Sequence, residues 1–256
     1  MKKQIPNLIT LLNLLCGCIA VVFAASNQLH IAAAFVFLGI LFDFFDGFAA
    51  RMLDVKSELG LQLDSLADMV TSGVVPGLVM FQMLSSLYLE DNTGITINLE
   101  TISLKLWEQE DFRVLPFLGF LITLGSGYRL AKFNIDENQT SSFIGLPTPA
   151  NTILILSLPL ILKYQEFDQI NMIIQNKWFL IGLTILSAIL MNANIALFAL
   201  KFKNFSFKGN EIRYIFLISS IVLLVFLKFL AIPIIILLYI SLSVLNKNIG
   251  NKRKEA

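Results

Sequence analysis

The chain has 256 residues, of which 56% are apolar, only 14% are charged and 22 are phenylalanine. Soluble domains carry about 25% charged residues, so this composition points to an integral membrane protein. The net charge of +1 favours no acidic or basic partner, and no nucleic acid is expected; two cysteines, Cys16 and Cys18, are too few for a cysteine zinc cluster.

The N-terminal stretch is basic and then apolar, and it imitates a secretory signal with a small-residue cleavage pattern at Val22–Ala24. Three polar residues, Asn7, Thr10 and Asn13, interrupt this stretch at i, i+3 and i+6. That spacing gives a helix a polar stripe, which a cleaved leader does not need. We therefore predict a retained first membrane helix.

Apolar stretches of near-bilayer length recur along the chain, and their lengths select helices over a closed barrel. We predict an all-α polytopic bundle with a six-helix core and a C-terminal hairpin, eight spans in all. The spans are expected near 7–26, 30–51, 62–89, 114–134, 145–163, 178–200, 212–228 and 229–246. The last two form one apolar region that is too long for a single span, and Lys228 and Pro233 near its middle predict a tight turn.

The basic residues predict the orientation. With the N-terminus in the cytoplasm, fourteen Lys and Arg residues fall inside and five outside, which is a strong positive-inside bias. Both termini are then cytoplasmic, and the acidic loop 90–113 lies outside. We expect three parts: a membrane core at 1–206, the hairpin at 207–246 and a basic cytoplasmic tail at 247–256.

Four aspartates lie in one strongly apolar part of this chain, where a carboxylate costs a few kcal/mol to insert. Asp43 and Asp46 share one face of the second helix, and Asp64 and Asp68 share one face of the third. The short turn near 52–59 makes the two helices antiparallel neighbours, so the acidic faces can meet. Four carboxylates match two Mg²⁺ or Mn²⁺ in charge, and hard oxygen ligands suit those ions. The alternative is a proton or cation pathway in a transporter.

Small residues accompany the aspartates on these faces, namely Gly47, Ala50 and Gly60. Such residues let a ligand approach the helix closely, and they equally serve helix–helix packing in membranes. Arg51, at the end of the second helix, suits phosphate binding or snorkelling to the headgroups.

The pattern D-x-x-D-G-x-x-A-R-x8-G-x-x-x-D-x-x-x-D, from Asp43 to Asp68, resembles the signature of the CDP-alcohol phosphotransferase family without a gap. The resemblance implies homodimeric membrane enzymes that transfer a phospho-group from a CDP-activated lipid to a hydroxyl and release CMP. It implies that all four aspartates surround the two metals and that Asp68 is also the catalytic base. It implies that Gly47, Ala50 and Gly60 make room for the cytidine diphosphate, and we add Arg51 to the predicted CDP-lipid site as a phosphate-binding residue.

Two further stretches resemble the bacterial phosphatidylserine synthase branch of that family, namely IPNLITLLN at 5–13 and RLAKFN at 129–134 followed by FIGLPTPAN at 143–151. In that branch the lipid donor is CDP-diacylglycerol and the acceptor is L-serine, and the enzyme lies in the bacterial inner membrane with its site at the cytoplasmic face. Pro6, Asn7 and Thr10 join the predicted CDP-lipid site. The three polar residues Asn7, Thr10 and Asn13 can bond either the nucleotide or neighbouring helices.

Arg129, Lys132 and Asn134 end the fourth span on the side of the aspartates, and they are the predicted serine-binding residues. An amino acid needs a cation for its carboxylate and acceptors for its ammonium, and the fork of Arg suits the first task. The alternative is that Arg129 and Lys132 are ordinary positive-inside anchors. Other acceptors, glycerol-3-phosphate or inositol phosphate, remain open, and a phosphorylated acceptor would want a denser cationic cluster.

Overall fold

The computed structural model describes residues 4–55, 57–89, 114–135, 142–198 and 210–255. Apolar helices make up almost all of this structure, as the sequence predicts. In chain order they are α1 (Gln4–Ala25), α2 (Leu29–Met52), α3 (Glu58–Asp68), α4 (Val75–Leu89), α5 (Phe120–Ile135), α6 (Thr148–Tyr164), α7 (Asp168–Ile174), α8 (Lys177–Asn192), α9 (Glu211–Leu227) and α10 (Ala231–Glu255). The predicted acidic loop at 90–113 lies outside the described residues, as do several of the counted basic residues.

Short irregular elements separate some of these helices. A π-helical segment, Met69–Val74, joins α3 to α4, and 3-10 turns at Leu115–Gly119 and Lys228–Leu230 precede α5 and α10. Two three-residue strands, β1 (Ser142–Ile144) and β2 (Ala196–Phe198), pair antiparallel with Phe143 opposite Leu197. The pair places the segment before α6 beside the segment after α8.

Four helical stretches of the described residues are long and apolar enough to cross a bilayer: Gln4–Ala25, Leu29–Met52, Glu58–Leu87 and Glu211–Leu245. The last stretch includes both α9 and most of α10. Helices α7 and α8, bent by 63° at their junction, make a fifth if they are taken together. Helices α5, α6 and α8 have 16, 17 and 16 residues, which is short of the 20 or so that a perpendicular crossing needs. The count of eight spans therefore stays a prediction.

The predicted C-terminal hairpin is present. The rings of Phe216 on α9 and Tyr239 on α10 lie 5.6 Å apart, whereas one straight helix would separate them by about 35 Å. The chain reverses at Lys228, whose φ of 49° is in the left-handed region. The Gln165 side chain braces this turn, since its amide donates to the Leu227 carbonyl and its oxygen accepts from the Leu230 amide.

Close packing at one point joins α1, α2 and the π-helical segment. A Cβ added at Gly39 would lie 2.9 Å from both the Asn13 Oδ1 atom and the Thr71 Cγ2 atom. The absence of a side chain there lets α2 approach the other two elements. The aspartates on α2 and α3 are thereby brought beside the polar stripe of α1.

The interior of the bundle is apolar and is centred on α6, where nearly every residue from Leu154 to Ile161 is buried. Val36, Met80, Leu84 and Ile155 pack in this core. Isolated polar side chains, among them Gln82, Ser157 and Thr184, are buried within the same bundle.

Candidate active site

The four predicted aspartates meet at the end of α2 and the start of the α3–α4 helix. Asp43, Asp64 and Asp68 each place a carboxylate oxygen within 4.8 Å of the other two, which is a spacing that can hold a metal ion. The other three aspartates each lie close enough to repel the carboxylate of Asp43. A cluster of like charges in a membrane protein demands positive charge, and carboxylate oxygens are ligands for hard divalent cations.

Asp46 lies beside this cluster and is buried by α1. The hydroxyl of Thr10 lies 2.6 Å from Asp46 Oδ2 and 3.0 Å from the carbonyl of Pro6. A hydroxyl has one proton, and the shorter contact to the charged oxygen is the stronger one, so Thr10 donates to Asp46. Of the two roles predicted for Thr10, bonding to a neighbouring helix is the one that this geometry provides.

Asp68 is oriented by a relay of two polar side chains. The Thr71 hydroxyl lies 2.8 Å from Asn13 Oδ1, so the amide nitrogen of Asn13 faces the other way and donates to Asp68 Oδ1 over 3.4 Å. Thr71 belongs to the π-helical segment that begins directly after Asp68. Such segments are frequent at functional sites, and the widened turn is what brings Thr71 to α1.

The start of α3 forms the other wall. Ser57 caps the helix, since its hydroxyl accepts a hydrogen bond from the Gly60 amide over 3.0 Å. Capping of this kind satisfies a free amide and fixes where the helix begins. Gly60 and Asp64 then follow one turn apart on the same face.

A cavity of about 660 Å³ opens over the aspartates. It is lined by Pro6, Asn7, Thr10, Asp43, Asp46, Gly47, Ala50, Val55, Ser57, Glu58, Gly60, Leu61 and Asp64. A Cβ at Gly47 would meet no atom within 4 Å, so this glycine faces open space in the cavity rather than a neighbouring helix. The lining includes six of the seven residues predicted for the CDP-lipid.

Arg51, the seventh, does not line this cavity. Its side chain is exposed at the end of α2, and its Nε atom donates to the Gly47 carbonyl one turn earlier over 2.8 Å. The guanidinium is thus held near the cavity mouth.

The three residues predicted to bind serine lie at the same end of the bundle but in two places. Asn134 meets α3, where its amide donates to the Ser65 hydroxyl over 2.8 Å, next to Asp64. Arg129 and Lys132 line a separate small cavity of about 10 Å³ with Ile144 and Met191, room for about one water molecule.

Arg129 also has a structural partner that the sequence did not predict. Its Nη1 atom donates to the carbonyls of Ile144, over 2.7 Å, and Met191. Met191 is in the last turn of α8, where carbonyls lack partners within the helix and cations are favoured. The side chain therefore caps α8 and ties it to β1. Lys132 is exposed.

Comparisons with known proteins find one family over most of the chain. Residues 3–246 match the model of the CDP-alcohol phosphatidyltransferase family. The chain is 36% identical to a Bacillus subtilis CDP-diacylglycerol–serine O-phosphatidyltransferase over 151 residues, which cover 57% of this chain and 70% of that protein. It is 29% identical to the Helicobacter pylori J99 protein of the same name over 98% of this chain and 96% of that one.

An archaetidylserine synthase of Methanothermobacter thermautotrophicus is 27% identical over 64% of this chain and 61% of its own length. The family match covers nearly the whole chain and includes all four aspartates, both faces of the cavity and the C-terminal hairpin. This chain belongs to the CDP-alcohol phosphatidyltransferase family of membrane enzymes.

Proposed function

We propose that this protein transfers a phosphatidyl group from CDP-diacylglycerol to the hydroxyl of L-serine with the help of two divalent cations, Mg²⁺ or Mn²⁺. The observation that carries the proposal is the meeting of three carboxylates within 4.8 Å, two of which, Asp43 and Asp64, line a 660 Å³ cavity, in a chain of this family. The names of the Bacillus subtilis and Helicobacter pylori relatives support serine as the acceptor.

The donor set fits divalent cations. Asp43, Asp64 and Asp68 offer oxygens at a spacing suited to a shared ion. Asp46 bonds Thr10 through one carboxylate oxygen and has a second one that does not take part in this bond. Bound divalent ions would neutralise the charge of the diphosphate and of the departing nucleotide. The contribution of the protein to that chemistry is to hold the carboxylates in fixed positions on two packed helices.

The cavity supports binding of the CDP-lipid. Gly47, Ala50 and Gly60 leave room for the nucleotide against the two helices, and Asn7 provides a polar group on the α1 side. Exposed apolar side chains, among them Leu8 and Phe44, continue from the cavity along α1 and α2. They give the acyl chains a path into the bilayer, while exposed Arg51 is available to a phosphate at the mouth.

Asp68 is the proposed base. In a direct displacement, the serine oxygen forms a bond to the lipid-linked phosphorus, the bond from that phosphorus to CMP breaks, and the serine proton passes to Asp68. Asn13 holds one oxygen of Asp68, which leaves the other for the proton. A positioned base contributes about 10²–10⁴ to the rate.

Serine is proposed to lie between the aspartates and the end of α5. Asn134 reaches α3 at Ser65, and Arg129 is the buried cation nearest that end of α5. Nη1 of Arg129 is engaged with carbonyls, so the remaining donors of the guanidinium are proposed to hold the serine carboxylate. Lys132, exposed one turn later, is proposed as a second cation for the same group.

The proposed setting is the bacterial inner membrane, with the aspartates and both termini at the cytoplasmic face. The positive-inside bias supports this orientation. The aspartate end is then on the side that supplies nucleotide-activated lipid, serine and Mg²⁺. A homodimer is proposed from the family resemblance.

The test is an assay of the purified full-length chain. CDP-diacylglycerol would be presented with Mg²⁺ or Mn²⁺ and with serine, glycerol-3-phosphate or inositol phosphate in turn, and CMP release would be followed. We expect CMP and phosphatidylserine with serine alone. CMP release with glycerol-3-phosphate or inositol phosphate instead would refute serine as the acceptor, and full turnover after chelation would refute the role of the metal. Ion flux into vesicles without CMP release would favour the transporter hypothesis.

A further inference from the structure

A second polar cavity lies at the opposite end of the bundle from the aspartates. Its volume is about 370 Å³, and α2, α4, α6, α7 and α8 contribute to its walls. His30 on α2 is in its lining and precedes Asp43 by thirteen residues, which is about 20 Å along the helix. We refer to it as the His30–Lys163 cavity. The proposed reaction makes no use of it.

The polar half of this cavity carries a positive charge. Lys163 Nζ lies 3.1 Å from His30 Nδ1 and 3.0 Å from Nε2, so one nitrogen of a neutral imidazole can accept from the ammonium while the other carries a proton. Asn27, Gln28, Ser86 and Gln175 add neutral polar groups to the lining. No acidic residue is among the described lining residues, so the cavity offers donors for an anion.

The other half is apolar. Leu29, Met83, Leu87, Pro159, Leu162, Ile174 and Leu180 supply it. Aromatic residues of the kind found at membrane interfaces lie next to the lining: Tyr164 has its ring 6.4 Å from that of His30, and Trp178 is 70% exposed. The cavity thus joins the cationic donor Lys163 to an apolar wall, beside aromatic side chains of the kind found at membrane interfaces.

From this combination we infer that the His30–Lys163 cavity binds the phosphodiester of an anionic membrane phospholipid. Two unbridged phosphate oxygens accept hydrogen bonds from Lys163 and from the imidazole N–H, and the glycerol and first methylene groups pack on the apolar half. A free inorganic phosphate has the same oxygens but gains nothing from the apolar half, so the lipid is the favoured source of the anion. The inference is independent of the proposed reaction.

Trp178 provides a local reporter. The chain has two tryptophans, and replacing Trp107, which lies outside the described residues, by Phe leaves Trp178 alone. In this background the full chain is reconstituted in vesicles of zwitterionic phosphatidylcholine that contain brominated phosphatidylglycerol or brominated phosphatidylcholine, and quenching of Trp178 is titrated. One lysine near the surface, with no acidic residue in the described lining, predicts a preference of about fivefold for the anionic lipid.

Three variants distinguish the cavity from the general charge of the surface. Lys163→Met should abolish the preference, and Lys163→Arg should retain it. Lys177→Met is the matched control, because Lys177 lies 5.6 Å from the Trp178 ring centroid at the same membrane end but outside the cavity. It should keep the preference once quenching is normalised to its own unquenched signal.

Several outcomes would overturn the inference. One is an unchanged preference in Lys163→Met, and another is a loss of preference in Lys177→Met alone, which would place the effect at the rim. Equal quenching by the two lipids in the parent protein would also refute it, as would displacement of the anionic lipid by millimolar inorganic phosphate. A size-exclusion profile and melting temperature equal to the parent's establish that Lys163→Met is folded.

Discussion

Gly47 provides a direct test of where the nucleotide lies. A Cβ at this position would have no protein atom within 4 Å, although the residue lines the large cavity over the aspartates. Gly47→Ala therefore adds a methyl group to the cavity and to nothing else. Gly60 is less suitable, because its Cβ would lie 3.0 Å from the hydroxyl of Ser57, which caps α3.

The substitution should have opposite effects on folding and on binding. Alanine is favoured over glycine inside a helix by about 1 kcal/mol, so the melting temperature of a chain of this size should rise by about 2–4 °C. If the nucleotide packs against this face of α2, the added methyl overpacks the complex at a cost of about 1–3 kcal/mol. The KM for CDP-diacylglycerol should then increase by about 5- to 150-fold, with the serine KM unchanged.

Gly182→Ala is the matched control. Gly182 is also helical, and a Cβ there would also meet nothing within 4 Å. It lies on α8 and lines none of the three cavities described above. It should show the gain in melting temperature with no change in either KM. A stable Gly47→Ala enzyme with the parent KM for CDP-diacylglycerol would show that the nucleotide does not contact this face, and the proposed binding mode would be wrong.

Four further substitutions test the rest of the site. Asp68→Asn should retain CDP-diacylglycerol binding but lower the rate of CMP release by about 10²–10⁴, whereas Asp54→Asn, in the turn before α3, should change neither; serine-dependent turnover near the parent rate in Asp68→Asn would exclude it as the base. Asp43→Asn should raise the Mg²⁺ or Mn²⁺ concentration needed for half-maximal activity, and an unchanged metal titration would remove it from the metal site. Arg129→Lys keeps the charge but loses the guanidinium donors other than Nη1 that are proposed to hold the serine carboxylate, so the serine KM should rise by about tenfold with the CDP-diacylglycerol KM unchanged; equal changes in both would indicate a structural role only. Tyr239→Phe removes a 2.9 Å hydrogen bond from its hydroxyl to a β2 carbonyl, so urea or thermal unfolding should show a loss of about 1 kcal/mol, and an unchanged stability would show that the bond is not needed.

The acidic cluster could be predicted from the sequence because its geometry is local. Asp43 and Asp46 are three residues apart, Asp64 and Asp68 are four apart, and a short turn separates the two helices. Helical periodicity alone then fixes which faces the carboxylates occupy. Gly47 and Ala50 follow by the same rule, and the structure places both on the cavity wall.

The role of Arg129 could not be predicted in this way, because it depends on distant parts of the chain. Its two carbonyl partners belong to Ile144 and Met191, 15 and 62 residues away. Met191 is free to accept only because α8 ends at Asn192, whereas the sequence predicted a span from 178 to 200. Asn192 and Asn194 do mark an end for this helix. The three-residue strand that follows is held by pairing with β1 and is too short to show a hydrophobic period of its own.

The same limit explains the roles of Asn13 and the π-helical segment. From the sequence alone, Asn13 could bond either the nucleotide or a neighbouring helix. The choice is made by Thr71, 58 residues later, whose position depends on the π-helical turn after Asp68. A single extra residue in a helical turn leaves no signature in hydrophobic periodicity, since the segment Met69–Val74 reads as an ordinary apolar stretch.

The distribution of buried charge bears on the choice between an enzyme and a transporter. A proton or cation pathway requires ionisable groups in succession across the membrane. In the described part of the chain, Asp46 and Arg129 are the only buried charged side chains, and both lie at the aspartate end. Between that end and His30, the described interior consists of side chains such as Val36, Met80 and Ile155, with isolated amides and hydroxyls. Buried charge that is confined to one end, where Asp46 lines the 660 Å³ cavity, is suited to a reaction at the membrane surface rather than to passage through the bundle.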